Sequence, residues 1–194
     1  AGSWSEYDAG ADRRPIAEDH PLTTKPGYGA AKSAAIKEGL SVASQLDIPF
    51  VALRLFNVYG PGEASSRLIP FIIDHLSRYM DVPLTMGEQV RDFIFIDDVV
   101  SAFIEAARSD NLMPDSVYNI CTGCPSSVRQ VAEGVAQALK RPTDLLRFGD
   151  LPSRTDEPKW VVGDGRKFEA ATLWSPKTIL DHGIMKTVGH YSRL

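Results

Sequence analysis

Cysteine is scarce in this 194-residue sequence, which contains two, Cys121 and Cys124. Two cysteines cannot build the disulfide framework of a small secreted domain. One Cys-x-x-Cys without a second pair or a nearby histidine is also a weak signal for zinc. We therefore expect no metal site and interpret both cysteines as small residues at the end of a strand.

Long apolar runs and an excess of basic charge are also missing. No apolar run approaches the ~20 residues of a membrane span, and the first residues lack the basic-then-apolar pattern of a signal peptide. The net charge is −4, which gives no positive field for nucleic acid or an anionic membrane. We expect a cytoplasmic protein with no nucleic-acid or membrane partner. The 43% hydrophobic content is sufficient for a substantial core in one unit or two lobes.

The order of helix and strand patterns predicts an α/β fold. An alanine-rich helix at about 29–45 precedes a short apolar segment at 50–58, which is typical of a buried parallel strand. Asn57 is expected at the carboxyl end of that strand, where open α/β sheets bind ligands. Further strands are predicted at 83–86, 93–96 and 117–121. Further helices are predicted at about 67–80, after an Asp97-Asp98 N-cap, and after the capping boxes Ser127-x-x-Gln130 and Thr178-x-x-Asp181.

Tyr28 and Lys32 are the first chemical signal. They lie four residues apart on one face of the predicted helix, so the ammonium can favour the ionised form of the phenol. An unperturbed phenol has a pKa near ~10, and a neighbouring cation shifts it toward the range of a useful base. Because this spacing is common on solvated helices, the hypothesis of an acid/base pair depends on the surrounding sequence.

Four segments in register carry a family resemblance. They are Tyr28-x-x-x-Lys32, Arg54-Leu55-Phe56-Asn57-Val58-Tyr59-Gly60-Pro61, Arg91-Asp92-Phe93-Ile94-Phe95-Ile96-Asp97-Asp98-Val99 and Tyr118-Asn119-Ile120. In this order they resemble the extended short-chain dehydrogenases/reductases, and more narrowly their NAD-dependent epimerase/dehydratase branch, which acts on nucleotide-activated sugars. The resemblance covers nearly the whole chain, from Ser3 to Trp174-Ser175-Pro176.

The resemblance implies the C-terminal part of a Rossmann-type parallel sheet and a smaller mixed α/β substrate-binding lobe. Residues 1–58 and 92–125 would belong to the Rossmann domain, and residues 59–91 and 126–194 to the lobe. The sequence contains no Gly-x-x-Gly-x-x-Gly turn, which in the family cradles the dinucleotide pyrophosphate. We therefore expect that the N-terminal dinucleotide-binding half is missing and that activity needs the longer enzyme.

The resemblance also implies roles for three catalytic residues. Tyr28 would exchange a proton with a sugar hydroxyl while hydride passes between that carbon and NAD or NADP. Ser3 would hydrogen-bond the same oxygen, with Ser5 as the competing hydroxyl. Lys32 would favour the phenolate and bind the nicotinamide ribose. The residues expected at the cofactor are Tyr28, Lys32, Leu55 and Val58.

Eight residues are expected at the nucleotide sugar: Asn57, Arg67, Leu68, Leu84, Met86, Arg91, Arg154 and Glu157. Asn57 and Arg91 resemble diphosphate ligands, since a guanidinium suits bidentate phosphate contact. Arg154 resembles a second nucleotide contact, and Glu157 stands where the family more often has aspartate for a ribose hydroxyl.

Three of these positions have an open alternative. Leu84 and Met86 would line the base pocket, although core packing is the equal alternative. Arg67 begins the substrate helix or is a surface residue. Arg54 and Asp164 also match family positions, and we interpret both as structural.

The segment after Ser3 bears on the reaction. The family's sugar 4,6-dehydratases carry an Asp-Glu pair there for water elimination, whereas this chain has Trp4-Ser5, with Glu6 one position further. Elimination is therefore disfavoured, and we expect 4-epimerisation by transient C4 oxidation. The alternatives are NAD(P)H-dependent reduction of a nucleotide 4-keto sugar, which the unusual Trp4 favours, and a non-catalytic regulator that binds a nucleotide sugar or NAD(P). A homodimer is expected for the full-length enzyme.

Overall fold

The computed structural model describes residues 1–9 and 13–192. Its strands are β1 (Gly2–Ser3), β2 (Val51–Leu55), β3 (Asn57–Tyr59), β4 (Val82–Leu84), β5 (Val90–Phe95), β6 (Ser116–Ile120), β7 (Pro125–Ser127), β8 (Leu146–Phe148) and β9 (Trp160–Val161). Its α-helices are α1 (Tyr28–Gln45), α2 (Leu68–Ser77), α3 (Ile96–Arg108), α4 (Val128–Leu139), α5 (Arg166–Thr172) and α6 (Leu180–Tyr191). Short 3-10 turns cover Trp4–Glu6 and Thr143–Leu145.

The described strands form three sheets, of three, four and two strands. The first has the order β1-β2-β6, all parallel, with Ser3 opposite Leu55 and Leu55 opposite Ile120. This confirms the prediction of an α/β fold with a parallel sheet. In the second sheet, β5 pairs in parallel with β3 and β9 and antiparallel with β7. The pair β4 and β8 is separate and parallel.

The prediction of one strand at 50–58 is wrong, because β2 and β3 belong to different sheets. Phe56 lies between them, buried in a cluster with Tyr7 and Val161, and its N–H donates to the Ile120 carbonyl oxygen. Burial of this ring fixes the point where the chain leaves the parallel sheet. Asn57 therefore begins a strand of the second sheet and does not end β2.

One of the two predicted capping boxes forms. The Ser127 N–H donates to Gln130 Oε1 at 2.8 Å, and the Gln130 N–H donates to Ser127 Oγ at 3.1 Å, so both orphan donors at the start of α4 are satisfied. The box at Thr178-x-x-Asp181 is wrong, because the N-cap of α6 is Ile179, without a side-chain cap.

Asp98 is structural but does not cap α3, whose N-cap is Phe95. Its carboxylate accepts the backbone N–H groups of Lys177 and Thr178 at 3.1 and 2.9 Å. Asp98 therefore ties α3 to the segment before α6, a contact between residues far apart in sequence that the local pattern does not show.

Two hydrophobic clusters build most of the core. One joins α2, α4 and α6 to β3 and β5 through residues such as Ile72, Val131 and Ile184. The other joins the parallel sheet to α3 and α5, where Tyr118 packs edge-on against Phe168. The boundaries of the Rossmann domain and the lobe stay a prediction; α5, within residues 126–194, packs on the parallel sheet.

Candidate active site

The Ser3 turn packs directly against the start of α1. Ser3 ends β1 and caps the Trp4–Glu6 turn, and its Oγ accepts from the Ser5 N–H at 3.2 Å and the Ser5 hydroxyl at 2.9 Å. Gly29 lies so close to this turn that a Cβ at position 29 would overlap the Ser5 carbonyl oxygen. Glycine costs about 1 kcal/mol of helix propensity. Here its small size lets the first turn of α1 pack against the Ser3 turn.

Tyr28 and Lys32 are neighbours on one face of α1. The phenol is 65% exposed, and Lys32 Nζ lies 5.6 Å from the centre of its ring. The ammonium also donates to the Ala1 carbonyl oxygen at 3.4 Å. The Tyr28 side chain is thus accessible to a reactant, and the Lys32 ammonium lies near both its ring and the residue before β1.

A buried carboxylate, Glu6, lies beneath the Ser3 turn. It is 0% exposed. Its Oε1 accepts the Ser3 N–H at 2.7 Å, and its Oε2 accepts from Arg54 Nε at 2.9 Å and from the Ser33 hydroxyl at 3.3 Å. The Arg54 guanidinium also lies over the Tyr7 ring, 4.6 Å from its centre. Arg54 is therefore a structural residue, as its sequence position suggests.

Tyr7 is a second tyrosine, directly after the Ser3 turn, and its environment differs from that of Tyr28. Its hydroxyl donates to Asn119 Oδ1 at 2.7 Å. Burial raises the pKa of Tyr7 to about 12, although Arg54 opposes the shift. A buried phenol with that pKa is a poor base, so Tyr7 does not suit an acid/base role. That role stays a prediction for Tyr28.

A cleft of about 480 Å³ opens beside β3, α2 and β4. Six of the eight residues expected at the substrate line it: Asn57, Arg67, Leu68, Leu84, Arg91 and Glu157. Val58, expected at the cofactor, also lines it. The topology thus gathers residues that are up to 100 positions apart in the sequence at one wall.

The structure places the remaining expected residues elsewhere. Met86 is exposed and follows β4, which ends at Leu84, so Met86 does not lie on that strand. Arg154 is exposed in the segment before Glu157. Leu55 is half-buried and packs with the cluster of the parallel sheet. Their roles stay predictions.

Two of the expected substrate residues bind each other. Arg91 donates to Glu157 Oε1 at 2.6 Å, and the Gln89 amide donates to Glu157 Oε2 at 3.2 Å. Burial lowers the pKa of Arg91, and the neighbouring Glu157 carboxylate opposes this shift. A phosphate at Arg91 would therefore have to share or replace an existing carboxylate partner.

Glu63 is a cleft residue that the sequence analysis missed. Its Oε1 accepts from Arg67 Nε at 3.3 Å, while its buried Oε2 has no hydrogen-bond partner within the described part of the chain. Burial raises the pKa of Glu63, and Arg67 opposes the shift. No sequence signal distinguishes Glu63 from the polar loop that surrounds it.

The two cysteines lie apart from this chemistry. Burial raises the pKa of the Cys121 thiol well above its usual value, so the thiolate form is disfavoured. Asp92 fixes the adjacent segment by accepting the Thr122 and Gly123 N–H groups, each at 2.8 Å. Over residues 1–9 and 13–192, no three His, Cys, Asp or Glu side chains are arranged to hold a metal ion. In the same ranges, no helix has the length and apolar character needed to cross a membrane.

The parallel sheet and its flanking helices have the architecture of a Rossmann-type protein of the extended short-chain dehydrogenase/reductase class. The sequence profile of the NAD dependent epimerase/dehydratase family matches residues 1–121. The chain belongs to this family, which confirms the resemblance drawn from its four motifs.

Curated relatives and solved structures agree with this assignment. The chain is 33% identical over 145 residues to CDP-abequose synthase of Salmonella typhimurium, covering 73% of this chain and 48% of the relative. It is 28% identical over 207 residues to bovine dTDP-D-glucose 4,6-dehydratase, and the match covers 97% of this chain and 54% of the relative. Other relatives, each 26% identical, are a UDP-glucose 4-epimerase of Corynebacterium glutamicum and a dTDP-4-dehydro-6-deoxyglucose reductase of Escherichia coli.

Among solved structures, MoeE5 in complex with UDP-glucuronic acid and NAD superimposes with a TM-score of 0.87 at 30% identity. This match covers 99% of our chain and 63% of MoeE5. The chain spans about half the length of the curated relatives that it matches. The names of these relatives include an epimerase, a dehydratase and a reductase, so membership of the family does not determine the reaction.

Proposed function

We propose that the complete protein is an NAD(P)-dependent enzyme that acts at C4 of a nucleotide-activated sugar, with 4-epimerisation by transient oxidation as its reaction. The observation that carries the proposal is the contact between Gly29 and the Ser5 carbonyl, because it packs the turn that follows Ser3 against the start of the helix that bears Tyr28 and Lys32. A protein that only binds a nucleotide sugar has no need of this proton-transfer set, which argues against a non-catalytic regulator.

Tyr28 is the proposed acid/base. Its exposed phenol can take a proton from a sugar hydroxyl and return it in the reverse step, and the Lys32 ammonium lies 5.6 Å from the centre of its ring. Ser3 Oγ already accepts two hydrogen bonds from Ser5, so its own O–H is left to donate to the same sugar oxygen. That bond strengthens as the oxygen becomes a carbonyl.

The residues proposed to hold the cofactor are Tyr28, Lys32, Leu55 and Val58. The fit is best at Lys32, whose half-exposed ammonium makes one long hydrogen bond and retains further donors for ribose hydroxyls. NAD or NADP supplies the hydride acceptor and donor when it is bound.

The cleft is the proposed site of the nucleotide diphosphate. Arg91, Arg67 and Asn57 offer donors to phosphate oxygens, and an arginine can bind them in pairs. Both arginines already pair with carboxylates, Arg91 with Glu157 and Arg67 with Glu63. A ligand that carries hydroxyls as well as a diphosphate can satisfy the carboxylates that it displaces, and a nucleotide sugar has both.

Glu6 gives a further argument against water elimination. Elimination needs a carboxylic acid that reaches the sugar, whereas both oxygens of Glu6 are buried and bound to Ser3, Ser33 and Arg54. Trp4-Ser5 stands in the place of the dehydratase pair, so residues 4–6 offer no exposed carboxylate for that role.

Reduction of a nucleotide 4-keto sugar is the second candidate. Trp4 is unusual beside the catalytic serine, and it packs against the cluster that contains Tyr7 and Phe56. One relative also carries the name of a 4-dehydro-sugar reductase. The family resemblance further favours a cytoplasmic homodimer for the complete protein.

Substitution of Tyr28 tests the proposal directly. In the complete protein, Tyr28→Phe should lower kcat by ~10²-fold or more while the Kd for the nucleotide sugar changes little, because general acid/base catalysis contributes about that much. Tyr79→Phe is a matched control, since Tyr79 is also 65% exposed but follows helix α2 and is not part of the proposed catalytic set. Equal turnover by wild type and Tyr28→Phe would overturn the catalytic assignment.

The two reactions can be separated by their cofactor stoichiometry. UDP-, dTDP- and CDP-hexoses are incubated with the complete protein, and the C4 epimers are resolved by chromatography. An epimerase interconverts them with a catalytic amount of NAD, whereas a reductase consumes one NAD(P)H per 4-keto sugar. Turnover that requires stoichiometric NAD(P)H would replace epimerisation with the second candidate.

A further inference from the structure

We propose, resting on the function above, that Glu6 is a positioning residue for catalysis. Its buried carboxylate holds the Ser3 hydroxyl in place relative to Tyr28 by binding three elements at once. These are the Ser3 turn, helix α1 and strand β2.

The Ser3 side chain lies where β1 ends and a turn begins. Its position therefore depends on the turn that follows the strand. The Glu6 carboxylate closes this turn through the Ser3 N–H, and the Ser3 Oγ accepts the Ser5 N–H in return.

Helix α1 is attached to the same carboxylate. Ser33 is buried, lies one residue after Lys32, and donates its hydroxyl to Glu6 Oε2 at 3.3 Å. The helix that carries Tyr28 and Lys32 is therefore bound to the group that closes the Ser3 turn. Gly29 permits the close approach, and the hydrogen bond through Ser33 fixes it.

Strand β2 provides the countercharge. Arg54 Nε donates to Glu6 Oε2 at 2.9 Å, with the two side chains 5% and 0% exposed. Glycine at position 2 leaves room for the Glu6 carboxylate, because a Cβ there would lie 2.5 Å from Glu6 Oε1. A carboxylate enclosed in this way has one arrangement in which its hydrogen bonds are satisfied, so it holds its neighbours rigidly.

Rigid placement matters because catalysis is sensitive to small displacements. A shift of ~1 Å in a catalytic group can cost ~10²-fold in rate. Ser3 contributes mainly when the sugar oxygen becomes a carbonyl, so its displacement should lower kcat while leaving KM nearly unchanged.

A pair of double variants isolates the bond from Glu6 to the Ser3 N–H in the complete protein. E6Q/R54M and E6L/R54M both remove the buried charges, but only the glutamine keeps an oxygen that can accept from Ser3. We expect similar Tm values, similar KM values for the nucleotide sugar, and a kcat at least ~10-fold lower for E6L/R54M. Equal kcat values would overturn the proposal.

Two further measurements keep the test decisive. In a Ser3→Ala background, exchange of glutamine for leucine should change kcat less than ~2-fold, because the serine hydroxyl is already absent. A full effect in that background would show a general structural role and overturn the proposal. If the double variants do not fold, Ser33→Ala replaces them. It should lower kcat measured well below its own Tm, and an unchanged kcat would contradict the inference.

Failure of this inference differs from failure of the proposed function. If the unsubstituted complete protein turns over no nucleotide sugar, the proposed function fails. If it turns over substrate and the substitutions at Glu6 have no selective effect on kcat, only the positioning role fails.

Discussion

Two arginine–glutamate pairs in this molecule have similar chemistry and different surroundings. Glu6 and Arg54 are 2.9 Å apart with side chains 0% and 5% exposed, whereas Arg91 and Glu157 are 2.6 Å apart with side chains 7% and 30% exposed. The first pair is sealed beneath the Ser3 turn, and the second borders the cleft. Of these two pairs, the second can be reached from the cleft. Access from the cleft, and not the ion pair itself, therefore distinguishes the structural arginine from the one that we propose to bind a ligand.

The sealed pair should be far more important for stability than the cleft pair. In the complete protein, Glu6→Ala should lower the free energy of unfolding by ~3–5 kcal/mol, because it leaves Arg54 buried and unpaired. Glu157→Ala should cost about 1 kcal/mol, since Arg91 can be hydrated from the cleft. Denaturant unfolding of the two variants measures the difference, and equal losses would remove the distinction between the pairs.

The cleft pair should be more important for binding. Arg91→Met should weaken nucleotide-sugar binding by ~10²-fold, because a charge-assisted bidentate contact with phosphate contributes about 1.5–3 kcal/mol. Calorimetric titration measures the Kd. Arg78→Met is the control, since Arg78 is exposed and pairs with Asp74 on α2; equal effects of the two substitutions would exclude Arg91 as the phosphate ligand.

Removal of the carboxylate charge opposite Arg91 should strengthen the binding of simple anions at Arg91. In Glu157→Gln, inorganic pyrophosphate should bind several-fold more tightly, because it no longer competes with a carboxylate for the guanidinium. The same substitution should give nucleotide sugars a smaller gain, since it weakens the acceptor proposed for a ribose hydroxyl. A pyrophosphate affinity that does not change would show that Glu157 and the anion do not compete.

Glu63 and Arg67 extend the comparison to a pair whose arginine is 61% exposed. Burial raises the pKa of Glu63, so the folded protein favours its protonated form. Its contribution to stability is therefore present at low pH and is lost as the pH rises through the folded-state pKa. Glu63→Gln should raise stability at pH 7 by less than about 1 kcal/mol and have little effect near pH 4.

Thermal unfolding of Glu63→Gln across this pH range measures the change. Glu133→Gln is the control, because Glu133 also pairs with an arginine four residues away and is 47% exposed. If the gain in stability of Glu63→Gln did not depend on pH, it would not arise from the ionisation of Glu63.

Helix periodicity and local caps were predictable because they are properties of neighbouring residues. The pattern at about 29–45 places α1 to within one residue, and Ser127 and Gln130 form their capping box because each lies within hydrogen-bonding reach of the other's backbone. The strand at 50–58 was not predictable as two pieces, since the burial of Phe56 against Tyr7 and Val161 decides where the chain changes sheets.

By itself, the sequence determined the α/β class, the family and the Tyr28-Lys32 pair, because each depends on residue type and on short spacing. Only the tertiary structure decided which charged groups meet. Glu6 and Arg54 are 48 residues apart, and Arg91 and Glu157 are 66 apart. Contacts at such separations depend on how strands and helices pack, so Glu6 became a candidate positioning residue and Arg91 a cleft residue with an internal carboxylate partner only once the fold was known.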